Sequence, residues 1–81
     1  LLLGLHYYQN LERYEDAVKA FEQARQLTPD NELVYRNLGV ALLLQGQYDQ
    51  AAAELRKSLQ IKVNPQTYSS LASALYLQHR Y

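Results

Sequence analysis

The sequence is marked first by what it lacks. None of its 81 residues is Cys, Trp or Met, only two are Pro and only three are Gly. Without Cys, the chain has no disulfide framework and no thiol chemistry. The low Gly and Pro content, beside a hydrophobic fraction of 48%, excludes a disordered low-complexity segment. We therefore expect at most one folded domain with a small core.

The chain also has no excess of charge of either sign and no long apolar run. Eight basic residues balance eight acidic ones, and no basic stripe of the kind that binds nucleic acid is present. No apolar run is long enough to span a membrane. Leu1-Leu2-Leu3 is too short for a signal peptide and lacks a basic flank. We expect no nucleic-acid or membrane partner and a cytoplasmic location, unless a segment ahead of Leu1 carries a targeting signal.

Residue groups that carry chemistry are equally scarce. His6 and His79 are distant in sequence, and no Cys or carboxylate completes a metal-ligand set around them. The pair Glu15 and Asp16 lies where a helix is predicted to begin, where acidic side chains complement the helix dipole. The serines within 69–73 have no nearby base. The sequence therefore predicts no catalytic residue, no metal site and no cofactor, and we do not expect an enzyme.

What the sequence does contain is an internal repeat. Tyr14-Glu15-Asp16-Ala17 returns as Tyr48-Asp49-Gln50-Ala51, 34 residues later. Upstream, Leu3-Gly4 returns as Leu38-Gly39 and again as Leu71-Ala72. A period near 34 residues predicts an array of stacked units rather than one closed globular fold.

The recurring residues resemble one family. The shared pattern is Leu-Gly, then Gly-x-Tyr-x-x-Ala, then Leu or an aromatic residue and a small residue. In the middle unit these positions are Leu38-Gly39, Leu42, Gly46, Tyr48, Ala51, Leu55 and Ser58. This pattern is similar to the tetratricopeptide repeat (TPR), and the resemblance covers essentially the whole chain. It implies an all-α, right-handed α-solenoid of stacked antiparallel helix pairs that mediates protein–protein interaction.

The repeat boundaries predict about two and a half units in a single array, 1–81. The first repeat, 1–29, is truncated at its N-terminus; the second is 30–63, and 64–81 is the first helix of a third. Five helices are expected, at about 1–10, 14–27, 30–45, 48–62 and 65–79. Gly46 should end the third of these helices. The first turn, 9–13, is one residue longer than its counterpart and has no glycine.

The resemblance also implies a binding surface, because the first helix of each unit lines a concave face that holds peptides. Carried onto this sequence, the candidate groove residues are Leu5, Tyr8, Gln9, Arg36, Asn37, Val40, Leu43, Leu44, Gln66, Ser70, Ser73, Tyr76 and Leu77. Arg36 and Asn37 are suited to hold a peptide backbone or a carboxylate. The alternative is that Leu43 and Leu44 pack against an adjacent helix and that Arg36 is merely solvated.

The sequence leaves the kind of partner open. Family members that bind chaperone tails use a clamp of basic and Asn residues, and here only Asn37 occupies a matching position, so we do not expect that subtype. We expect a protein or peptide partner, within a larger scaffold or signalling protein. Two alternatives remain: self-association through the open ends of the array, and service as the accessory domain of an enzyme.

Overall fold

The computed structural model describes the backbone of residues 2–80 and the side chains of residues 13–79. It contains the helices α1 (Leu2–Leu27), α2 (Glu32–Gln45), α3 (Tyr48–Ile61) and α4 (Pro65–Arg80). Residues 2–80 form no β-strand. The connections are short, so each helix folds back on the one before it. The predicted all-α solenoid architecture is confirmed.

Local sequence signals account for the helix ends after α1. The Asn31 side chain caps α2 by accepting a hydrogen bond from the Leu33 N–H at 2.9 Å. Gly46 ends α2 in the left-handed conformation, with φ of 88°, which Gly adopts without steric cost. Asn64 accepts a hydrogen bond from the Gln66 N–H at 2.8 Å, and Pro65 opens α4. These boundaries agree with the predicted ones to within a residue or two.

The first predicted turn is wrong. Residues 2–27 form one continuous helix, so the chain does not fold back at 9–13 and the expected pair of helices in the first unit is absent. The segment 9–13, Gln-Asn-Leu-Glu-Arg, contains neither Gly nor Pro, and Leu, Glu and Arg are all strong helix formers. Without a residue that favours the left-handed conformation, the helix continues through the expected turn.

Side-chain hydrogen bonds show that the remaining helices are antiparallel. The Ser58 hydroxyl near the end of α3 donates to the Glu32 carbonyl at the start of α2, at 2.8 Å. The Gln78 amide near the end of α4 donates to the Asp49 carboxylate at the start of α3. Since α3 is antiparallel to both neighbours, α2 and α4 run in the same direction. α2 contacts α1, α3 and α4 and is therefore the central helix.

The core forms where α2 crosses α3. Its buried residues are Leu38, Leu42, Ala51, Ala52, Leu55 and Ala74. Gly39 allows the close approach: a Cβ at this position would lie 2.7 Å from Leu55 Cγ and 3.2 Å from the Ala51 carbonyl oxygen. The small residues of the repeat pattern therefore mark the closest helix crossing in the described part of the chain.

Two residues predicted to point into the core lie largely outside it. Leu27 is 82% exposed because it ends α1, beyond the stretch that packs on α2. Tyr68 is 51% exposed, whereas Tyr35, its counterpart in α2, is only 6% exposed. The difference arises because α3 covers α2, while no described helix covers the corresponding side of α4.

Candidate functional site

The candidate site begins with one side of α2. Arg36, Asn37, Val40 and Leu44 lie at helical intervals that place them on a common side, away from the buried Leu38 and Leu42. Arg36, Asn37 and Val40 are partly buried, and Leu44 is 50% exposed. These four side chains therefore form a continuous strip along α2 that is at least partly accessible to solvent.

The second side of the site comes from α4. Gln66, Ser70, Ser73 and Leu77 follow the same helical spacing and form a second strip. Gln66 and Ser73 are exposed, and Ser70 and Leu77 are partly buried. Tyr76 is 62% exposed but lies nearly a quarter-turn or more away from this strip. The α4 strip faces a different direction from the buried Thr67 and Ala74, which pack toward the core.

A hydrogen bond joins the two strips near the start of both helices. Arg36 Nη1 donates to Gln66 Oε1 at 3.2 Å. Among the described residues, the ion pairs are Lys19–Glu15 and Arg25–Glu54, so no carboxylate pairs with Arg36. Gln66 is uncharged, and the positive charge of Arg36 is therefore not neutralised by a described neighbour.

The two strips share the same change of polarity along their length. Because α2 and α4 run in the same direction, Arg36 and Gln66 lie at one end of the surface, and Leu44 and Leu77 at the other. Arg36 and Leu44 are eight positions apart, which corresponds to about 12 Å along a helix. We call the surface formed by Arg36, Asn37, Val40, Leu44, Gln66, Ser70, Ser73 and Leu77 the α2–α4 face.

The remaining predicted groove residues lie elsewhere. Leu43 packs against the hydrophobic core, as the packing alternative expected, although Leu44 beside it is half-exposed. The side chains of Leu5, Tyr8 and Gln9 are outside the described residues. Their helix is not folded back as a separate first helix, because α1 is continuous. The contribution expected from the first unit therefore lacks the helix arrangement on which the prediction depended.

Sequence reasoning missed a second concavity. A cleft of about 390 Å³ lies between α1, α2 and α3, and its lining includes Val18, Leu38, Leu42 and Gln45. At its edge Arg25 Nη1 and Glu54 Oε1 form an ion pair at 2.6 Å. The cleft uses the side of α2 opposite the α2–α4 face and contains none of the predicted groove residues. The repeat pattern carries no signal for it, because it depends on a contact between positions 29 residues apart.

Other kinds of site find no support in the described residues. No group of three or more His, Cys, Asp and Glu side chains is placed to hold a metal ion there. In the same part of the chain, no helix combines the length and apolarity that crossing a membrane requires. The chemistry on display is therefore that of contact surfaces: hydrogen-bonding groups, one unpaired cation and half-exposed apolar side chains.

The fold and the pattern of small residues at its helix crossing define a helical-repeat protein. The family that matches is the tetratricopeptide repeat, over residues 11–75. The Protein STIP1 homolog of Dictyostelium discoideum is 32% identical over 69 residues, covering 84% of this chain. The chain belongs to the tetratricopeptide repeat family, whose general role is protein–protein interaction. It spans only 12% of the length of that relative.

Proposed function

We propose that the chain is an interaction module that holds an extended peptide segment of a partner protein on the α2–α4 face. The observation that carries this proposal is Arg36, a cation on an accessible strip with no carboxylate partner among the described residues. An anionic group on a peptide would gain a charge-assisted hydrogen bond there. Asn37 and Gln66 add amide groups that can bond to a peptide backbone.

The polarity of the face suggests the chemistry of the peptide. An acidic side chain would lie near Arg36, and an apolar side chain would lie near Leu44 and Leu77. The separation of about 12 Å along α2 corresponds to about four residues of extended peptide. We therefore propose a ligand that carries one acidic residue about four positions from a large apolar residue, in an extended conformation.

The mechanism is presentation of a rigid surface, with no bond made or broken. α2 is held on several sides by the other helices, so the strip that it contributes is positioned before a ligand arrives. Such preorganisation lowers the cost of ordering the site on binding. The hydrogen bond between Arg36 and Gln66 gives way to, or is extended by, the contact with the peptide.

The test compares two labelled peptides that differ at one position. One carries Glu four residues from Leu, and the other carries Gln in place of Glu. We expect the Glu peptide to bind about fivefold more tightly in fluorescence anisotropy, corresponding to roughly 1 kcal/mol for a single partly exposed charge pair. The substitution Arg36→Ala should abolish this preference.

The matched control is Arg56→Ala, which removes an exposed arginine from α3, away from the α2–α4 face. It should leave the preference for the Glu peptide unchanged. Equal binding of the two peptides by the wild-type chain, or an equal loss with both arginine variants, would contradict the proposed site. Circular dichroism of each variant checks that the helices are retained.

We further propose that the module works within a larger scaffold or signalling protein. In that setting the peptide belongs either to another protein or to another domain of the same chain. The matched relative, which is several times longer than this chain, is consistent with such an arrangement. The cytoplasmic location expected from the sequence stays a prediction.

A further inference from the structure

We infer that the chain pairs head to tail with a second copy of itself, so that the uncovered side of α4 in one copy packs against α1 of the next. The inference is independent of peptide binding, because it uses other sides of these helices. It follows from comparing each end of the array with the α2–α3 crossing at its centre.

The uncovered side of α4 repeats the side of α2 that α3 buries. The corresponding pairs are Tyr35 and Tyr68, Leu38 and Leu71, Gly39 and Ala72, and Leu42 and Leu75. In α2 all four members are buried, whereas in α4 Tyr68 and Ala72 are exposed and the two leucines are only partly buried. α4 therefore presents the apolar side of a first helix without the second helix that would cover it among the described residues.

α1 presents the complementary side. Ala17, Phe21 and Ala24 occupy the positions of Ala51, Leu55 and Ser58 in α3, which are each 0% exposed. In α1 all three are only partly buried. The reason is the continuity of α1: residues 2–10 extend the same helix instead of folding back over it. The side of α1 that a preceding helix would cover is therefore available to another chain.

The two ends fit each other in the way that α2 fits α3. α4 carries the first-helix pattern and α1 carries the second-helix pattern, so their contact would continue the existing series of antiparallel helices. A Cβ at Gly39 would lie 2.7 Å from Leu55 Cγ, so the methyl group of Ala72 requires a slightly wider crossing. That is possible between copies, because no short loop ties the two helices together.

Charge is complementary in the same register. In the antiparallel α2–α3 pair, the last turn of the first helix lies beside the first turn of the second. The equivalent arrangement places the last turn of α4 beside Glu15 and Asp16 of the other copy. α4 contains no Asp or Glu, and its last residues include His79 and Arg80. A weakly basic end therefore meets an acidic one.

The contact is heterologous, because it uses different surfaces on the two copies. A pair of copies still has one uncovered α4 side and one uncovered α1 side, so the association is open-ended. The hydrogen bond from Ser58 to the Glu32 carbonyl has no equivalent here, because Ala24 and Pro65 occupy those positions. We therefore expect association that depends on protein concentration rather than a permanent dimer.

Sedimentation velocity from micromolar to millimolar concentration tests the inference. The mean mass of the wild-type chain should rise with concentration. Ala72→Arg should weaken the association by roughly tenfold or more, since it inserts a long charged side chain at the crossing. The matched control is Ala53→Arg, an identical substitution at an exposed position on α3, which should associate as the wild type does.

A mixing experiment distinguishes head-to-tail pairing from a symmetric dimer. Ala17→Arg blocks the α1 side and leaves the α4 side intact, while Ala72→Arg does the reverse. Each variant alone should remain monomeric, and an equimolar mixture should form a 1:1 pair that grows no further. Circular dichroism establishes that Ala17→Arg is folded; the concentration series on Ala72→Arg does not depend on it.

Three outcomes would overturn the inference. The first is a wild-type chain that stays monomeric at all concentrations. The second is an Ala72→Arg variant that associates as strongly as the wild type and as Ala53→Arg. The third is a mixture of folded variants that forms no pair, which would show that any association of the wild type uses a different contact.

Discussion

Gly39 provides the most direct test of the helix packing. Replacing it with Ala would place a methyl carbon 2.7 Å from Leu55 Cγ and 2.8 Å from Leu55 Cδ2. Leu55 is 0% exposed and has little room to move away. Overpacking of this kind costs about 1–3 kcal/mol, while Ala in place of Gly gains about 1 kcal/mol of helix propensity. We expect a net loss of about 1 kcal/mol.

For a domain of this size, that loss lowers the thermal midpoint by about 4–8 °C. Thermal and urea unfolding followed by circular dichroism measure it, and Ala53→Gly at an exposed position on α3 measures the propensity term separately. If Gly39→Ala stabilises the chain by as much as Ala53→Gly destabilises it, the crossing has free space and the reasoning is wrong.

A double-mutant cycle isolates the contact between the two helices. Leu55→Ala alone should cost about 2–5 kcal/mol, because it leaves a cavity in the core. In that background Gly39→Ala should become neutral or stabilising, since the added methyl group fills part of the cavity. A coupling energy of about 1–3 kcal/mol is expected, and additive effects would show that the two side chains do not meet.

Three further predictions follow from particular residues. Gly46→Ala should lower stability by about 1 kcal/mol in urea unfolding, because Gly46 has a φ of 88°; no loss would mean that the end of α2 differs. Thr67→Val should raise stability by about 1 kcal/mol, because the buried Thr67 hydroxyl has no hydrogen-bond partner among the described atoms; destabilisation would reveal a missing partner. An acidic peptide with a free terminal carboxylate should bind only at about millimolar Kd, near −4 kcal/mol, and micromolar binding in calorimetry would contradict the reduced clamp.

The sequence predicted the helices whose ends carry a specific local signal. Asn31, Gly46 and Asn64-Pro65 each impose a boundary through a side-chain cap, a left-handed residue or a fixed φ. The turn at 9–13 had only its position in the repeat to support it, and the helix continues there. A periodic pattern thus locates equivalent residues, but the turn itself requires a residue that ends the helix.

The candidate site was predictable in part for a similar reason. Helical spacing alone placed Arg36, Asn37, Val40 and Leu44 on one side of α2. Whether Leu43 joins that side or the core depends on how α2 lies against its neighbours, which no local pattern specifies. The hydrogen bond from Arg36 to Gln66 joins positions 30 residues apart and follows from the stacking of units.

The central position of α2 has a consequence for how the chain opens. Because α2 contacts the other three helices, α1 or α4 can detach while the α2–α3 pair persists, but loss of α2 leaves no pair of helices in its arrangement. Amide hydrogen exchange should therefore be slowest in α2 and fastest toward the outer helices. The terminal helices can also accept sequence changes without collapse of the whole domain, whereas Leu38 and Leu42 cannot vary as freely.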